Sequence, residues 1–205
     1  MKISYAITVC NEVVEVQRLL DVLLKTKRPQ DEVVVLFDSL NGTLEVQNVL
    51  KLYKESIQIH TSEFHNDFAE WKNKLKDHCS GDYIFQIDAD EIPESNLIES
   101  LSEILLENDS VDLFLVPRIN TVEGLTEAHI KQWNWRVDEN GWVNFPDYQT
   151  RIYKNTSSIF WANKVHERII GCKTLTGFPT EKEWCLHHPK TIERQEKQNA
   201  YYDTL

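Results

Sequence analysis

The sequence is short of glycine, and its few glycines are not arranged to hold phosphate groups. It contains 6 glycines in 205 residues, and neither G-x-G-x-x-G nor G-x-x-x-x-G-K-S/T occurs. A Rossmann dinucleotide site needs the first pattern and a P-loop needs the second, because bare backbone must approach the phosphates. Any nucleotide that binds this chain must therefore be held by side chains and a metal ion.

Cysteine pairs at metal-binding or redox spacing are also missing. Cys10, Cys79, Cys172 and Cys185 are scattered and form no C-x-x-C, so we expect free thiols in a cytoplasmic protein. No apolar run approaches the length of a transmembrane helix, and the first residues lack the anatomy of a signal peptide. We therefore expect a soluble protein with no membrane span.

Positive charge is scarce, with 22 Lys and Arg against 33 Asp and Glu and a formal net charge of −11. This balance argues against nucleic acid or an anionic membrane surface as the main partner. An acidic protein that handles an anionic substrate needs a metal ion or a local basic cluster. The hydrophobic share of 41% is typical of a globular protein.

The stretch from Tyr83 to Pro93 carries the clearest chemical signal. A short, β-rich apolar run ends in Asp88, Asp90 and Glu91, and it predicts a buried strand. Strand alternation would send Asp88 and Asp90 to one side, and Pro93 would end any regular element. Neighbouring carboxylates repel each other unless a cation lies between them, so this pair is a candidate divalent-metal site. A solvated acidic turn is the alternative.

The first part of the chain alternates between strand and helix patterns. Strands are predicted at residues 3–9, 33–37 and 57–60, and helices at 13–24, 44–53 and 67–78, the first helix with Asn11 as its N-cap. This order is typical of a doubly wound α/β domain. Polar residues such as Thr8, Asp38, His60 and Asp88 close the strands, so we expect them to converge on a ligand crevice at one sheet edge.

The later part of the chain has looser patterns. We predict a helix at 95–107, strands at 111–116, 149–154 and 159–161, a loop at 169–179 and a polar helix at 191–202. Trp133, Trp135 and Trp142 could offer flat apolar faces to sugar rings or could fill the core. We find no repeat, low-complexity segment or linker, so we expect one domain over residues 1–205.

Several blocks together resemble the family 2 glycosyltransferases of the GT-A fold, in the short lipopolysaccharide-core or β-glucosyltransferase type. The blocks are residues 6–12, 31–38, 66–73, 81–91, 146–153 and 165–167. The resemblance implies a GT-A-like, doubly wound, mainly parallel α/β sheet with flanking helices. It also implies a nucleotide-sugar-binding half, 1–118, and an aromatic-rich acceptor and catalytic half, 119–205.

The same resemblance implies an inverting transfer from a nucleotide-sugar, usually UDP-linked, to a glycan or other hydroxyl acceptor. Mn²⁺ or Mg²⁺ would lie at the Asp-x-Asp (DXD) motif of Asp88 and Asp90. A C-terminal histidine commonly joins that metal shell, and His188 is favoured over His187. The residues expected to hold the donor are Thr8, Asn11, Glu12, Asp38, Lys72, Asn73, Asp88 and Arg151.

The resemblance implies specific roles for Asp38 and Lys72. Asp38 would read the nucleotide base. Lys72 stands where relatives often carry Arg, which replaces a forked diphosphate contact by a point charge.

The resemblance leaves the catalytic base open among Asp147, Glu167 and Glu91. The family often has a Glu-Asp motif after the Asp-x-Asp strand, and this sequence departs from it. We favour Asp147 because it directly precedes the 148–151 block, with Glu167 second and Glu91 third. The alternative for each is a surface carboxylate or an ion pair, with Arg151 or Arg168 as partner.

Two other functions stay open. A nucleotidyltransferase would need a glycine-rich basic loop after the first strand, and residues 9–12 lack one. A non-catalytic carbohydrate-binding domain on the same scaffold remains compatible with the short chain and the missing Glu-Asp motif.

Overall fold

The computed structural model describes residues 1–202, so the last three residues of the expected 1–205 domain lie outside the described residues. The helices are α1 (Val13–Thr26), α2 (Leu44–Leu52), α3 (Phe68–Asp77), α4 (Ser95–Glu107), α5 (Glu127–Trp133) and α6 (Ile192–Tyr202). The strands are β1 (Ile3–Val9), β2 (Glu32–Asp38), β3 (Gln58–Ser62), β4 (Tyr83–Asp88), β5 (Ile92–Pro93), β6 (Leu113–Glu123), β7 (Val143–Lys154), β8 (Phe160–Ala162), β9 (Arg168–Ile170), β10 (Leu175–Gly177) and β11 (Leu186–Thr191).

Within residues 1–202 the strands form a nine-stranded sheet and a two-stranded β8-β9 sheet. The large sheet runs β3-β2-β1-β4-β7-β6-β11-β5, with β10 beside β6. Its first four strands are parallel, whereas β7 is antiparallel to both β4 and β6. A mainly parallel α/β sheet with flanking helices is therefore confirmed.

Strand β2 shows why the sheet is buried on both faces. All of its residues are buried, as expected for a parallel strand covered by helices on both sides. Val33, Val35 and Phe37 join the core that includes the inner face of α1, whereas Val34 and Leu36 join the core on the other face, under α3. Alternation along one strand thus feeds two hydrophobic cores.

The structure corrects several sequence predictions of local elements. Helix α1 has Glu12, not Asn11, at its N-cap position, with no side-chain capping bond. Strand β6 extends to Glu123 because β7 and β11 pair with it on both sides. Pro93 belongs to β5, which pairs with β11, and the expected 169–179 loop contains parts of β9 and β10.

The boundary expected at residues 118/119 falls inside β6. Strand β7 lies between β4 and β6, so one sheet runs through both expected halves. All four cysteines are free. Among the described residues, no helix combines the length and the apolar character needed to cross a membrane.

Candidate active site

The exit from β4 separates the two aspartates of the Asp-x-Asp motif. The strand ends at Asp88, and a turn follows in which the Glu91 amide donates to the Asp88 carbonyl at 2.9 Å. Regular strand geometry therefore ends at Asp88 and does not extend to Asp90. Each aspartate takes its own set of partners.

Asp88 is paired with cations of the protein. The Nη2 atom of Arg151, on β7, donates to Asp88 and also to Glu91 Oε1 at 2.5 Å, and Lys72 Nζ lies 3.8 Å from Asp88 Oδ1. Burial raises the pKa of Asp88, but the charges of Arg151, Lys72 and Arg118 outweigh it and hold that pKa far below its usual range. Asp88 is thus an ionised carboxylate whose charge is already balanced.

Asp90 contacts His188 and Arg194. Its Oδ2 atom lies 3.2 Å from His188 Nε2 and accepts a hydrogen bond from Arg194 Nη2 at 3.2 Å. Burial raises the pKa of Asp90, but the hydrogen bond and charge of His188 and the charge of Arg194 lower it to about 2. Arg194 extends from α6 and also pairs with Glu15 and Glu12, at 2.5 and 3.9 Å.

Strand pairing fixes the orientation of His188. On adjacent strands β11 and β6, His188 lies opposite Asn120, and its Nδ1 atom is 2.7 Å from Asn120 Oδ1. Asn120 Nδ2 donates to Asp147 Oδ2 at 2.9 Å, so the amide must present its oxygen to the histidine. Nδ1 therefore donates its proton to Asn120, and Nε2 points toward Asp90.

This arrangement fits a divalent cation. Two lone-pair donors 3.2 Å apart need a proton or a cation between them, and adjacent ligands of an octahedral Mg²⁺ are about 3 Å apart. Metal-binding histidines usually donate their other ring N–H to a fixed acceptor, as His188 does to Asn120. No group of three or more His, Cys, Asp or Glu side chains is placed to hold a metal within residues 1–202. Further ligands would therefore come from substrate, as is common for Mg²⁺.

Asp147 lies opposite Arg118 across β7 and β6. Its Oδ2 atom accepts from Arg118 Nε and Nη2 at 3.0 and 2.7 Å, and its Oδ1 atom accepts from Gln149 at 2.8 Å. Burial raises the pKa of Asp147, but the Arg118 charge and the hydrogen bonds from Asn120, Arg118 and Gln149 lower it overall. The side chain stays 31% exposed, so it is an ionised carboxylate that a ligand can reach.

The other two candidate bases lie in different settings. Glu91 is completely buried, and it accepts hydrogen bonds from Arg118, Arg151 and the Asp88 amide. At that buried position Glu91 forms ion pairs with Arg118 and Arg151. Glu167 accepts from Lys72 Nζ at 2.7 Å, and the same ammonium lies 4.4 Å from the centre of the Trp161 ring.

The expected donor-binding residues do not all present free groups. Asp38 accepts from the Leu40 and Phe64 amides and from Asn41 Nδ2, and these bonds lower its pKa although burial raises it. Asn73 makes two hydrogen bonds with the Trp161 backbone, which tie α3 to β8.

The end of β1 brings further candidates to the same edge. Glu12 accepts from the amides of Cys10 and Asn11, at 2.8 and 3.0 Å, and Asn11 itself is exposed. Thr8 pairs with Asp88 across β1 and β4. Thr8, Asp88 and Glu12 thus lie along the carboxyl ends of neighbouring strands, where α/β sheets bind ligands.

The sequence analysis did not identify Arg118, Asn120 and Arg194. Arg118 and Asn120 donate to Asp147, and Arg194 donates to Asp90. The ion pair expected for Asp147 named Arg151 or Arg168, whereas its partner is Arg118. The position of Arg118 near a strand end was the only local signal for it. The contact of Arg194 with Asp90 spans 104 residues, and no local pattern indicates it.

Comparisons with known proteins agree with this fold. A family model described as "Glycosyl transferase family 2" matches residues 4–175. The crystal structure of S. aureus TarS 1-349 superposes with a TM-score of 0.63 at 15% identity, covering 92% of this chain and 60% of that one. The same TarS fragment in complex with UDP-GlcNAc gives a TM-score of 0.61 at 16% identity, covering 93% and 59%.

The chain thus spans about 60% of the length of those TarS structures, and at this identity the likeness concerns the fold. No curated protein sequence matches the chain.

Proposed function

The chain belongs to glycosyl transferase family 2, and from this membership we propose that it transfers a sugar from a nucleotide-sugar to a hydroxyl group of a glycan acceptor. A UDP-sugar is the first donor to test, because crystal structures of TarS, which has the same fold, contain UDP and UDP-GlcNAc. The proposal includes inversion at the anomeric carbon and a dependence on Mn²⁺ or Mg²⁺.

One observation carries the proposal: a row of contacting side chains runs from Asp90 through His188 and Asn120 to Asp147. One end of the row offers ligands for a cation, and the other end offers an ionised, reachable carboxylate. Displacement of a nucleoside diphosphate by a hydroxyl needs both, because negative charge grows on the leaving diphosphate while the hydroxyl loses a proton.

In the proposed reaction Asp147 takes the proton of the acceptor hydroxyl. The hydroxyl oxygen forms the new bond to the anomeric carbon, and the bond from that carbon to the diphosphate oxygen breaks as the nucleoside diphosphate leaves. A divalent ion at Asp90 and His188 would supply charge neutralisation for the diphosphate. The base role falls to Asp147 rather than Glu91, because Glu91 has no exposed surface.

Donor binding follows the strand-end residues. Thr8, Glu12 and Asp38 are proposed to line the nucleotide. Lys72, which lies beside Asp88, is proposed to be close to the diphosphate. Arg151 is proposed to position Asp88 through the hydrogen bond that it donates to that carboxylate. Asn73 is proposed to act through β8, which it holds by its two hydrogen bonds to the Trp161 backbone.

The test measures thermal stabilisation by UDP, GDP, CDP and ATP, each with Mn²⁺ and with EDTA, followed by hydrolysis of a panel of UDP-sugars. We expect stabilisation by UDP that requires Mn²⁺ and is lost in Asp90→Asn. Asp77→Asn, which changes an exposed carboxylate at the end of α3, is the matched control and should behave as wild type. Absence of any nucleotide-dependent shift would favour a binding module, and consumption of ATP or CTP with diphosphate release would favour a nucleotidyltransferase.

A further inference from the structure

Helix α6 turns a polar face toward the sheet. It packs on β11 and β6, and its half-buried positions after Ile192 are Arg194, Gln195, Gln198 and Asn199. A surface helix of a globular protein usually buries an apolar stripe. The inner face of α6 therefore does not serve hydrophobic packing, and its amides border a cavity instead.

That cavity has a volume of about 230 Å³. Its lining includes the side chains of Asn120, Trp135, Asn144, Gln195, Gln198 and Asn199. Pockets for drug-sized ligands measure roughly 300–1,000 Å³, so this one admits a single small ring. An aromatic ring among several amides combines a flat apolar surface with paired donors and acceptors.

Some of these amides have hydrogen-bonding groups left over. Gln195 Nε2 donates to Asn199 Oδ1 at 2.8 Å, and Lys190 Nζ donates to Gln198 Oε1. The Oε1 atom of Gln195 and the Nε2 atom of Gln198 thus remain without a partner among the side chains that the structure describes. Each leftover group suits a hydroxyl, which both donates and accepts.

The charged lining residues are already balanced. Arg118 is paired with Glu91 and Asp147 at 2.9 and 2.7 Å. Lys190 donates to Gln198, and charges of both signs lie near its ammonium, those of Asp90 and Glu91 and those of Arg118 and Arg194. The cavity therefore offers little net attraction to an anion, and its chemistry favours a neutral, hydroxyl-rich ligand.

We propose that this cavity binds the acceptor as a single neutral pyranose ring, with Trp135 against one face of the ring and the amides of α6 on its hydroxyls. The assignment rests on the proposed function. Asn120 and Arg118 line the cavity and both donate to Asp147, and His188 connects it to Asp90. A ring held here lies beside the row of contacting side chains that runs from Asp90 to Asp147.

The experiment uses saturation-transfer NMR on the full chain with methyl glycosides of glucose, galactose and N-acetylglucosamine, and with methyl glucuronide and glucose 6-phosphate as anionic probes. We expect at least one neutral glycoside to bind and both anionic probes to bind at least tenfold more weakly. Trp135→Ala and Gln198→Ala should each weaken the neutral glycoside at least tenfold, and Trp135→Phe should restore most of the binding. Lys197→Ala, on the exposed face of α6, is the control and should bind as wild type.

Preferred binding of an anionic probe, binding of no glycoside, or equal binding by Trp135→Ala and Lys197→Ala would each overturn the assignment. Stabilisation by UDP and Mn²⁺, measured on the same samples, separates the two proposals. Glycoside binding without a UDP response would leave the cavity assignment standing and remove the transferase. A UDP response without glycoside binding would leave the transferase proposal standing and remove the cavity assignment.

Discussion

At the scale of single residues, Arg118 sets the properties of the Asp147 carboxylate. Its guanidinium donates to Asp147 through Nε and Nη2 and to the buried Glu91 through Nη1. Because Glu91 anchors the guanidinium from the core side, Arg118 keeps its position when Asp147 changes. The lowered pKa of Asp147 means that this side chain is ionised at neutral pH, which is the form that a general base requires.

Asp147→Asn is expected to lower turnover of the donor and acceptor pair by about 10²-fold or more, the scale of a lost general base. Donor binding should persist, because the substituted amide has the same shape and its oxygen can still accept from Arg118. The measurement is nucleoside diphosphate release in the presence of acceptor, together with UDP-dependent thermal stabilisation.

Glu167→Gln is the matched variant, since Glu167 is the second candidate and contacts Lys72. It should retain most of the turnover. If Asp147→Asn turns over normally while Glu167→Gln does not, the base is Glu167.

The residues of the candidate site could be predicted where a local sequence pattern marks them. Asp88 and Asp90 were predicted from the sequence as a strand-end pair and His188 from the resemblance to GT-A glycosyltransferases, whereas Arg118 and Arg194 were not predicted. Arg118 reaches Asp147 across 29 residues and Arg194 reaches Asp90 across 104. Contacts of this kind depend on which strands lie side by side, and a single sequence does not state that.

At the scale of elements, length and periodicity decided what could be predicted. Helix α4 covers Ser95–Glu107, the bounds expected from its helical period, and the fully apolar run of β2 gave a correct strand. Strands β5, β9 and β10 have only two or three residues each. Such strands exist because a distant partner accepts their hydrogen bonds, so their own sequences carry too little signal.

Glu32, at the start of β2, ties together the amino ends of several strands. It accepts from Lys2 Nζ and Ser4 Oγ at 2.6 Å each, from the Ser80 amide at 2.7 Å and from Gln58 Nε2 at 2.9 Å. Burial raises the pKa of Glu32, but the hydrogen bonds from Lys2, Ser4 and Ser80 lower it from 4.5 to about 2. A carboxylate with a lowered pKa stabilises the fold above pH 4.5 and loses that contribution as the pH falls toward 2.

Glu32→Gln is therefore expected to lower the free energy of unfolding at pH 7 by roughly 2–3 kcal/mol. The variant should also lose part of the decline in stability that wild type shows between pH 4.5 and 2. Urea unfolding across this pH range measures both effects. Glu103→Gln, at an exposed position of α4, is the control, and an equal loss of stability in the two variants would contradict this role for Glu32.

At the scale of the whole molecule, the site is held by ion pairs between distant parts of the chain. Arg151 pairs with Asp88 and Glu91, Glu167 with Lys72, and Arg194 with Glu15. Each pair joins a residue before 118 to one after it. Desolvated charges are costly unless paired, so neither part of the chain can keep its share of the site without the other.

The sheet leads to a prediction about the two halves, 1–118 and 119–205. Fragment 1–118 ends inside β6 and lacks β7, so the edge of β4 and the buried Glu91 lose the partners that Arg151 and β7 supply. An open strand edge next to a buried carboxylate that has lost one of its two arginine partners favours aggregation over folding. We expect no cooperative thermal transition for either half alone, as measured by circular dichroism and calorimetry. Fragment 1–191, which keeps every strand described within residues 1–202 and ends before α6, should unfold cooperatively. A cooperative transition in fragment 1–118 would instead mean that the strands β1 to β4 and their helices form an independent folding unit.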